Sequence, residues 1–115
     1  MADPFAELSE LDRLVHEPAR LAILTALSGC ATADFVFLKR ITGLTQGNLS
    51  SHLAKLDNAG LIEVTKSFSG KTPRTAIAIT PEGRGRIDGH WDQLASLRTK
   101  ARLWRPPTPV KASAK

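Results

Sequence analysis

The chain has 115 residues, of which 42% are hydrophobic and 23% are charged, and its formal net charge is +5 at pH 7. This length suits one domain with its own hydrophobic core, while the apolar stretches are too short to cross a membrane. The acidic N-terminus does not resemble a signal peptide, and a single cysteine, Cys30, excludes an internal disulfide, so we expect a cytoplasmic protein.

Positive charge is concentrated in two parts of the chain. Residues 1–38 have two basic and six acidic side chains, residues 39–86 have eight basic and three acidic, and residues 98–115 have six basic and none acidic. Such clustering is typical of a protein that binds a polyanion. For residues 98–115 alone, a basic tail that only increases solubility is the alternative interpretation.

Three helices are predicted in the first 43 residues. The first covers residues 5–15, the second runs from Pro18 to Ser28, and the third covers residues 35–42 with Asp34 as its capping residue and Gly43 after its end. The apolar residues that we expect to face inward on the first and third helices are Phe5, Leu8, Leu11, Leu14 or Val15, Phe35, Leu38 and Ile41.

Residues 45–60 predict a fourth, amphipathic helix, capped by Thr45, ended by Gly60 and carrying a stripe of three leucines. The side opposite the leucines has small and amide residues, namely Gly47, Ser50, Ser51, Ala54 and Asn58, with Asn48 and Lys55 beside them. Small polar side chains let another surface approach the helix closely and offer hydrogen-bond donors and acceptors. The DNA major groove, which admits one helix, is such a surface.

After Gly60 the hydrophobic period changes from helical to alternating. Residues 61–68 and 75–80 predict two strands joined by the basic, turn-forming segment 69–74, and therefore a β-hairpin. Thr80 and Pro81 then begin a last helix, whose apolar stripe contains Ile87, Trp91, Leu94 and Leu97. From Pro106 onward the composition is of low complexity, so we expect disorder there.

The order of these elements, together with three local motifs, resembles the winged helix–turn–helix repressors of the ArsR and MarR type. The motifs are LSSHLAKL at 49–56 with AGLI at 59–62, PRT at 73–75, and ITPEGR at 79–84. The resemblance covers roughly residues 10–97. It implies a mainly α fold with a small β-hairpin wing, of the DNA/RNA-binding three-helical bundle type, in which residues 1–97 bind DNA and dimerise and residues 98–115 form a basic tail.

Two departures from the family pattern bear on function. Ser51 stands where many members have an arginine or a glutamine that contacts DNA directly. ArsR-type metal sensors carry paired cysteines or a His and Asp cluster, whereas here Cys30 is single and the three histidines, His16, His52 and His90, are far apart in sequence. We therefore expect no metal site and no cofactor.

The residues predicted to bind DNA belong to three groups. Four residues of the fourth helix offer groups for base edges: Gln46, Asn48, Ser50 and Ser51. Lys55 and His52 are expected to meet phosphate, although His52 could equally be a half-buried packing residue. Lys71 and Arg74 at the hairpin tip suit the minor groove. The full predicted set is Thr45, Gln46, Gly47, Asn48, Ser50, Ser51, His52, Lys55, Lys71, Arg74, Lys39, Arg40 and Arg84, the last three being either phosphate contacts or a solvated helix face.

The sequence thus predicts a homodimeric repressor that reads a palindromic operator in double-stranded DNA. The predicted dimer interface consists of Phe5, Leu8, Leu11, Val15, Ile87, Trp91, Leu94 and Leu97, and a small-molecule effector, if one exists, is expected at that interface. The alternative is a winged helix used only for binding other proteins. No nucleophile–base pair or phosphate-binding glycine loop is recognisable, so we do not expect an enzyme.

Overall fold

The computed structural model describes residues 4–107 and contains five helices and one β-hairpin within that range. The helices are α1 (Pro4–Leu8), α2 (Pro18–Ser28), α3 (Phe35–Thr42), α4 (Gln46–Asn58) and α5 (Pro81–Leu103), and the strands are β1 (Ile62–Ser69) and β2 (Thr72–Ile79). The predicted mainly α fold with a hairpin wing is confirmed. The disorder predicted from Pro106 onward falls mostly on residues 108–115, which lie outside the described residues.

Helix starts follow the capping residues that the sequence contains. The side chains of Asp34, Thr45 and Thr80 each accept a hydrogen bond from the backbone amide three residues later, at 2.7, 3.2 and 3.0 Å. These bonds satisfy amides that have no partner inside the helix. The α2 helix is capped instead by the carboxylate of Glu17, which accepts from the amide of Ala19.

The first predicted helix is wrong in extent, because α1 ends at Leu8 and turns follow it. One carboxylate oxygen of Asp12 accepts hydrogen bonds from the amides of Leu14 and Val15, which stabilises a turn in place of a helix. The turn directs Leu11 and Val15 into the interior, where both are buried. The apolar spacing that suggested a helix therefore reflects core contacts made from a loop.

The core lies where α2, α3, α4 and the inner half of the hairpin meet α5. Its fully buried members are Val15, Ile23, Leu24, Leu27, Leu38, Leu49, Leu56, Leu61, Ile77 and Ile87. All three leucines of the α4 stripe are buried, as predicted. Ile41 was predicted to face inward but is 46% exposed, and Phe37 and Leu44 pack against the core instead.

The hairpin is longer and its loop shorter than predicted. The register runs without interruption from Ile62 opposite Ile79 to Ser69 opposite Thr72, which leaves a two-residue loop, Gly70 and Lys71. Gly70 has a φ of 63°, a conformation that tight hairpin loops require and that glycine adopts without strain. The hairpin is attached to the helices by two backbone hydrogen bonds of 2.8 Å between Ala33 and Ile77.

The start of α5 is held closely against the end of α4. The Thr80 hydroxyl donates to the Gly60 carbonyl at 2.7 Å. A Cβ atom on Gly83 would overlap the carbonyl group of Leu61, so only glycine permits this approach. The contact fixes the direction in which α5 leaves the core and, with it, the position of the hairpin relative to α4.

A polar cluster joins the loop after α1 to α5. Arg86 donates two hydrogen bonds to one oxygen of Asp12, and the Nδ1 atom of His16 lies 3.0 Å from the Nε2 atom of the buried His90. Burial raises the pKa of Asp12, but Arg86 and two backbone amides outweigh burial and hold that pKa below its ordinary value. Burial and the neighbouring His16 lower the pKa of His90.

These shifts predict a pH dependence of stability. Because the pKa of His90 is lower in the folded state, the folded chain binds fewer protons than the unfolded chain just below the ordinary histidine pKa of about 6.5. The free energy of unfolding should therefore be highest above that pH and fall as the pH is lowered through it. Urea unfolding at several pH values measures this, and His90→Gln should flatten the dependence. If His90→Gln keeps the wild-type pH profile, the assignment to His90 is wrong; His16→Gln, which leaves His90 buried, should keep part of the dependence.

Candidate nucleic-acid interface

The outward face of α4 is exposed and small, as the sequence predicted. Three buried leucines hold the helix on the core, and the opposite side is exposed along its whole length. The exposed residues of this face are Gln46, Gly47, Asn48, Ser50, Ser51, Ala54, Lys55 and Asn58. Together with α3 and the short turn at 43–45, α4 forms a helix–turn–helix whose second helix could enter a groove of DNA.

The N-terminal end of α4 combines hydrogen-bonding groups with a favourable electrostatic field. Thr45, Gln46 and Asn48 surround the first turn, where unpaired amides and the helix dipole favour an anion. The Thr45 hydroxyl already accepts from the Asn48 amide at 3.2 Å, so its proton and one lone pair are available for a ligand. Gln46 and Asn48 are the exposed side chains with the most donors and acceptors at this end.

His52 is drawn into a network with the start of α2. A guanidinium nitrogen of Arg20 lies 3.1 Å from its Nδ1 atom, and a Glu17 oxygen lies 3.3 Å from the same atom. Arginine can only donate and a carboxylate can only accept, so the two neighbours favour opposite roles for Nδ1. This arrangement agrees with the packing alternative that the sequence left open, and a phosphate contact by His52 stays a prediction.

A groove separates α4 from the hairpin. Its volume is about 630 Å³ and it is lined by Phe35, Ser50, Leu53, Ala54, Asp57, Val64, Lys66, Thr75 and Ile77. Sequence reasoning missed Lys66, which is exposed and faces α4 from the hairpin. Strand alternation could have found it, because Lys66 stands two residues after Val64 and therefore shares its face. Asp57, near the C-terminal end of α4, makes that end of the groove less suited to phosphate.

The basic residues of the hairpin tip take different positions. Lys71 occupies the two-residue loop, and Arg74 lies opposite Ser67, on the other face of the hairpin from Lys66. All three are exposed. The tip therefore carries positive charge on both faces and at its end.

The remaining predicted cations divide between the two ends of α4. Lys39 and Arg40 are exposed in the last turn of α3, six and five residues before Thr45, and the guanidinium of Arg40 lies 5.6 Å from the ring centre of Phe37. Arg84 instead donates to the Ser28 carbonyl at 3.1 Å, at the end of α2. Because the start of α5 adjoins the C-terminal end of α4, Arg84 is separated from the N-terminal end by the length of α4, about 20 Å.

The residues predicted to form a dimer interface are only partly on the surface. Val15 and Ile87 are fully buried in the core of the single chain, and Leu11 and Leu97 are nearly so. Their assignment to a partner contact is corrected: an apolar stripe alone cannot distinguish a helix packed on its own core from one packed on a second chain. Phe5, Leu8 and Trp91 are exposed, and Leu94 is half-buried.

Among the residues predicted to form the dimer interface, the exposed ones lie where α5 extends past the core. Helix α1 packs against the distal half of α5, with the ring of Phe5 5.1 Å from that of Trp104 and Lys100 3.2 Å from Glu7. The radius of gyration is 18.8 Å, whereas a compact domain of this length would have about 13 Å. The α1–α5 arm thus projects from the body of the domain.

No helix within residues 4–107 is both long and apolar enough to span a bilayer. The same residues contain no group of three or more His, Cys, Asp or Glu side chains arranged to hold a metal ion.

Comparison with known proteins agrees with this geometry. A family model described as a winged helix DNA-binding domain matches residues 19–97. An uncharacterized protein of Methanocaldococcus jannaschii is 38% identical over 72 residues, which are 63% of this chain and 78% of that protein. A transcriptional regulator homologue from Pyrococcus horikoshii OT3 has a TM-score of 0.78 and 26% identity, over 89% of this chain and 100% of the other. A MarR-family transcriptional regulator from Silicibacter pomeroyi shares the fold, with a TM-score of 0.61 and 20% identity over 91% of this chain and 68% of the other.

A helix–turn–helix with an exposed polar helix beside a basic hairpin defines the class of winged helix–turn–helix proteins. The match over residues 19–97 covers more than half of the chain. The chain therefore belongs to the winged helix DNA-binding domain family, and its fold is that of the MarR-type regulators. It is a DNA-binding transcriptional regulator.

Proposed function

We propose that the protein is a cytoplasmic homodimeric repressor that recognises a palindromic operator and catalyses no reaction. In this proposal α4 enters the major groove and the hairpin wing reaches the adjacent minor groove. The observation that carries it is the exposed face of α4, which combines small side chains with hydrogen-bonding groups beside a basic wing. A protein-interaction module would be expected to present large apolar side chains on that face. The outward face of α4 has no large apolar side chain within residues 45–60.

Dimerisation is inferred from the α1–α5 arm. A 23-residue helix is about 34 Å long, yet Ile87, the α5 residue in the central core cluster, lies in its first half, and Leu97 is the buried residue of its second half. Trp91, near the middle of α5, and Leu103, at its end, are exposed, as are Phe5 and Leu8 of α1, the helix that packs against α5. Two arms packed around a two-fold axis would cover these side chains and place two α4 helices on one side of the dimer.

A small-molecule effector, if one regulates the protein, would bind between the arms. The Trp91 indole packs edge-on against the His90 ring, with 5.8 Å between their centres, and remains 45% exposed. Aromatic surface at a junction between protomers is typical of sites for small apolar ligands.

Selection of bound sequences from random duplex DNA tests the proposal directly. A dimer should enrich a palindrome whose half-sites are about one helical turn, 10–10.5 base pairs, or a small multiple of it apart. Enrichment of a single unrepeated half-site would contradict the symmetric dimer. Absence of any enriched sequence would contradict sequence-specific recognition.

Substitutions of Asn48 and of Arg74 should have different effects on DNA binding. Asn48→Ala should relax the preference at one position of each half-site and cost roughly 1–3 kcal/mol there, because an amide can make two hydrogen bonds to one base. Arg74→Ala should weaken binding without changing the preferred core sequence, with an effect that depends on flanking A·T content. Binding titrations on specific and random duplexes measure both effects.

Asn58 provides a matched control for this comparison. It is the same residue type, is also exposed and lies on the same helix, but at the C-terminal end of α4. Asn58→Ala should therefore leave base preference unchanged. If all three variants lose affinity equally on specific and random DNA, the assignment of base reading to the N-terminal end of α4 is wrong.

A further inference from the structure

A large apolar side chain on the wing is exposed to solvent. Phe68 is 74% exposed and lies opposite Pro73, which is also exposed, one residue pair before the end of the ladder. At the other end of the hairpin, Ile77 is fully buried and Val64 packs against the core. A single exposed apolar side chain is common on protein surfaces, but Phe68 and Pro73 form an apolar pair at a protruding tip.

Phe68 lies on the face of the wing that looks toward α4. Side chains alternate between the faces of a strand, so Phe68 shares its face with Val64 and Lys66, and Pro73 shares it with Thr75 and Ile77. Val64 and Lys66 of β1, and Thr75 and Ile77 of β2, line the groove beside α4. Phe68 and Pro73 therefore continue the groove wall outward, beyond the last residue that α4 covers.

Cations surround this apolar pair. Lys66 stands two residues before Phe68 on the same face, Lys71 is in the loop, and Arg74 follows Pro73 on the opposite face. A ligand that fits this surface has an apolar interior between two rows of negative charge. Stacked base pairs between phosphate backbones have that chemistry, and their edges are reached from the minor groove.

Phe68 and Pro73 also lie on paired strands and not in a loop. The ladder of the hairpin is unbroken up to the two-residue loop, and the Ala33–Ile77 bridge ties the hairpin to the helices. A side chain that must separate stacked bases needs such a support, because a flexible loop would yield before the bases do.

We propose that Phe68, supported by Pro73, inserts as an apolar wedge into a base step of the minor groove and kinks the DNA. The inference deepens the proposed function and rests on its placement of the wing in that groove. Apolar wedges of this kind unstack a step and bend the duplex by roughly 20–90°. Pyrimidine–purine steps, TA and CA/TG, unstack most easily. The wing would then select flanking sequence by its deformability, separately from base reading by α4.

The test uses the full-length chain and a duplex that carries the sequence recovered by selection. Dyes at the two ends report bending by energy transfer, and 2-aminopurine placed at the flanking steps becomes fluorescent when it is unstacked. With wild-type protein we expect a bend and a fluorescence increase at one step in each flank. Phe68→Ala should lose both signals and the preference for TA or CA/TG steps, while Phe68→Leu, which keeps an apolar wedge, should retain them.

Val36→Ala is the matched control. Val36 is also apolar and 75% exposed, but it lies in the first turn of α3. This variant should bend DNA like the wild type, with light scattering confirming an unchanged oligomeric state. If the wild type binds the duplex tightly but leaves it straight, with unchanged 2-aminopurine fluorescence, the wedge proposal is wrong. The proposed function would not be affected by that result. A change of oligomeric state in Phe68→Ala would also overturn the wedge proposal, because Phe68 would then contact a second copy. Absence of sequence-specific binding by the wild type would overturn both proposals.

Discussion

Trp91→Asp should convert a dimeric protein into monomers and reduce operator affinity by roughly 10³-fold or more, toward the level of non-specific binding. The indole is 45% exposed in the single chain, so a charge there costs the monomer little. At a two-fold interface the same carboxylate would be buried without a partner, which is strongly unfavourable. Light scattering gives the oligomeric state, and titration of the selected duplex gives the affinity.

Ile41→Asp is the control for this variant. Ile41 is apolar and 46% exposed, which nearly equals Trp91, but it lies on α3 and not on the α1–α5 arm. It should leave the dimer intact. Leu94→Asp provides a second test on the arm, whereas Leu97→Asp is less informative because Leu97 is buried within the chain and its replacement would also disturb folding. A wild-type monomer at micromolar concentration, or a Trp91→Asp dimer, would contradict the model.

Raising salt from about 50 to 200 mM should weaken DNA binding by about 10³- to 10⁵-fold, if a dimer neutralises roughly six to ten phosphates. The exposed cations around α4 and the wing are sufficient for that number in two protomers: Lys39, Arg40, Lys55, Lys66, Lys71 and Arg74. Anisotropy titrations at several salt concentrations give the slope. A slope near zero would contradict an interface dominated by phosphate contacts.

Two lysines allow the location of these contacts to be tested. Lys66→Gln should reduce the salt slope by about one for each protomer, because Lys66 faces the groove beside α4. Lys100→Gln should leave the slope almost unchanged, since Lys100 is on the α1–α5 arm and lies 3.2 Å from Glu7. Equal changes in both variants would mean that the whole charge of the chain, and not this face, determines the salt dependence.

The elements that the sequence predicted well are those whose signals are local. The α4 helix follows from a leucine every three or four residues, a threonine cap and a terminal glycine, and the structure contains all three. The hairpin follows from a period of two and a glycine turn. Each signal acts within a few residues along the chain, so it does not depend on what packs against the element.

The errors arise where a residue's partner is distant in sequence or where two local signals compete. Leu11 and Val15 have helical spacing, but the Asp12 side chain stabilises a turn there. Both residues are buried although they lie in this turn and not in a helix. His52 was ambiguous because the residues that contact it, Glu17 and Arg20, lie more than thirty residues earlier in the sequence.

The sequence by itself determined the fold, the small polar outer face of α4 and the location of positive charge, because periodicity, capping residues and charge are properties of neighbouring positions. Only the tertiary structure decided which apolar residues are buried in the core and which stay exposed, since one stripe on α5 supplies both Ile87 and Trp91. It also decided that Lys66 and Phe68 share the wing face beside α4. Those placements depend on how α4, the hairpin and α5 dock, and docking is governed by contacts such as that of Gly83 with Leu61, which join residues from separate elements.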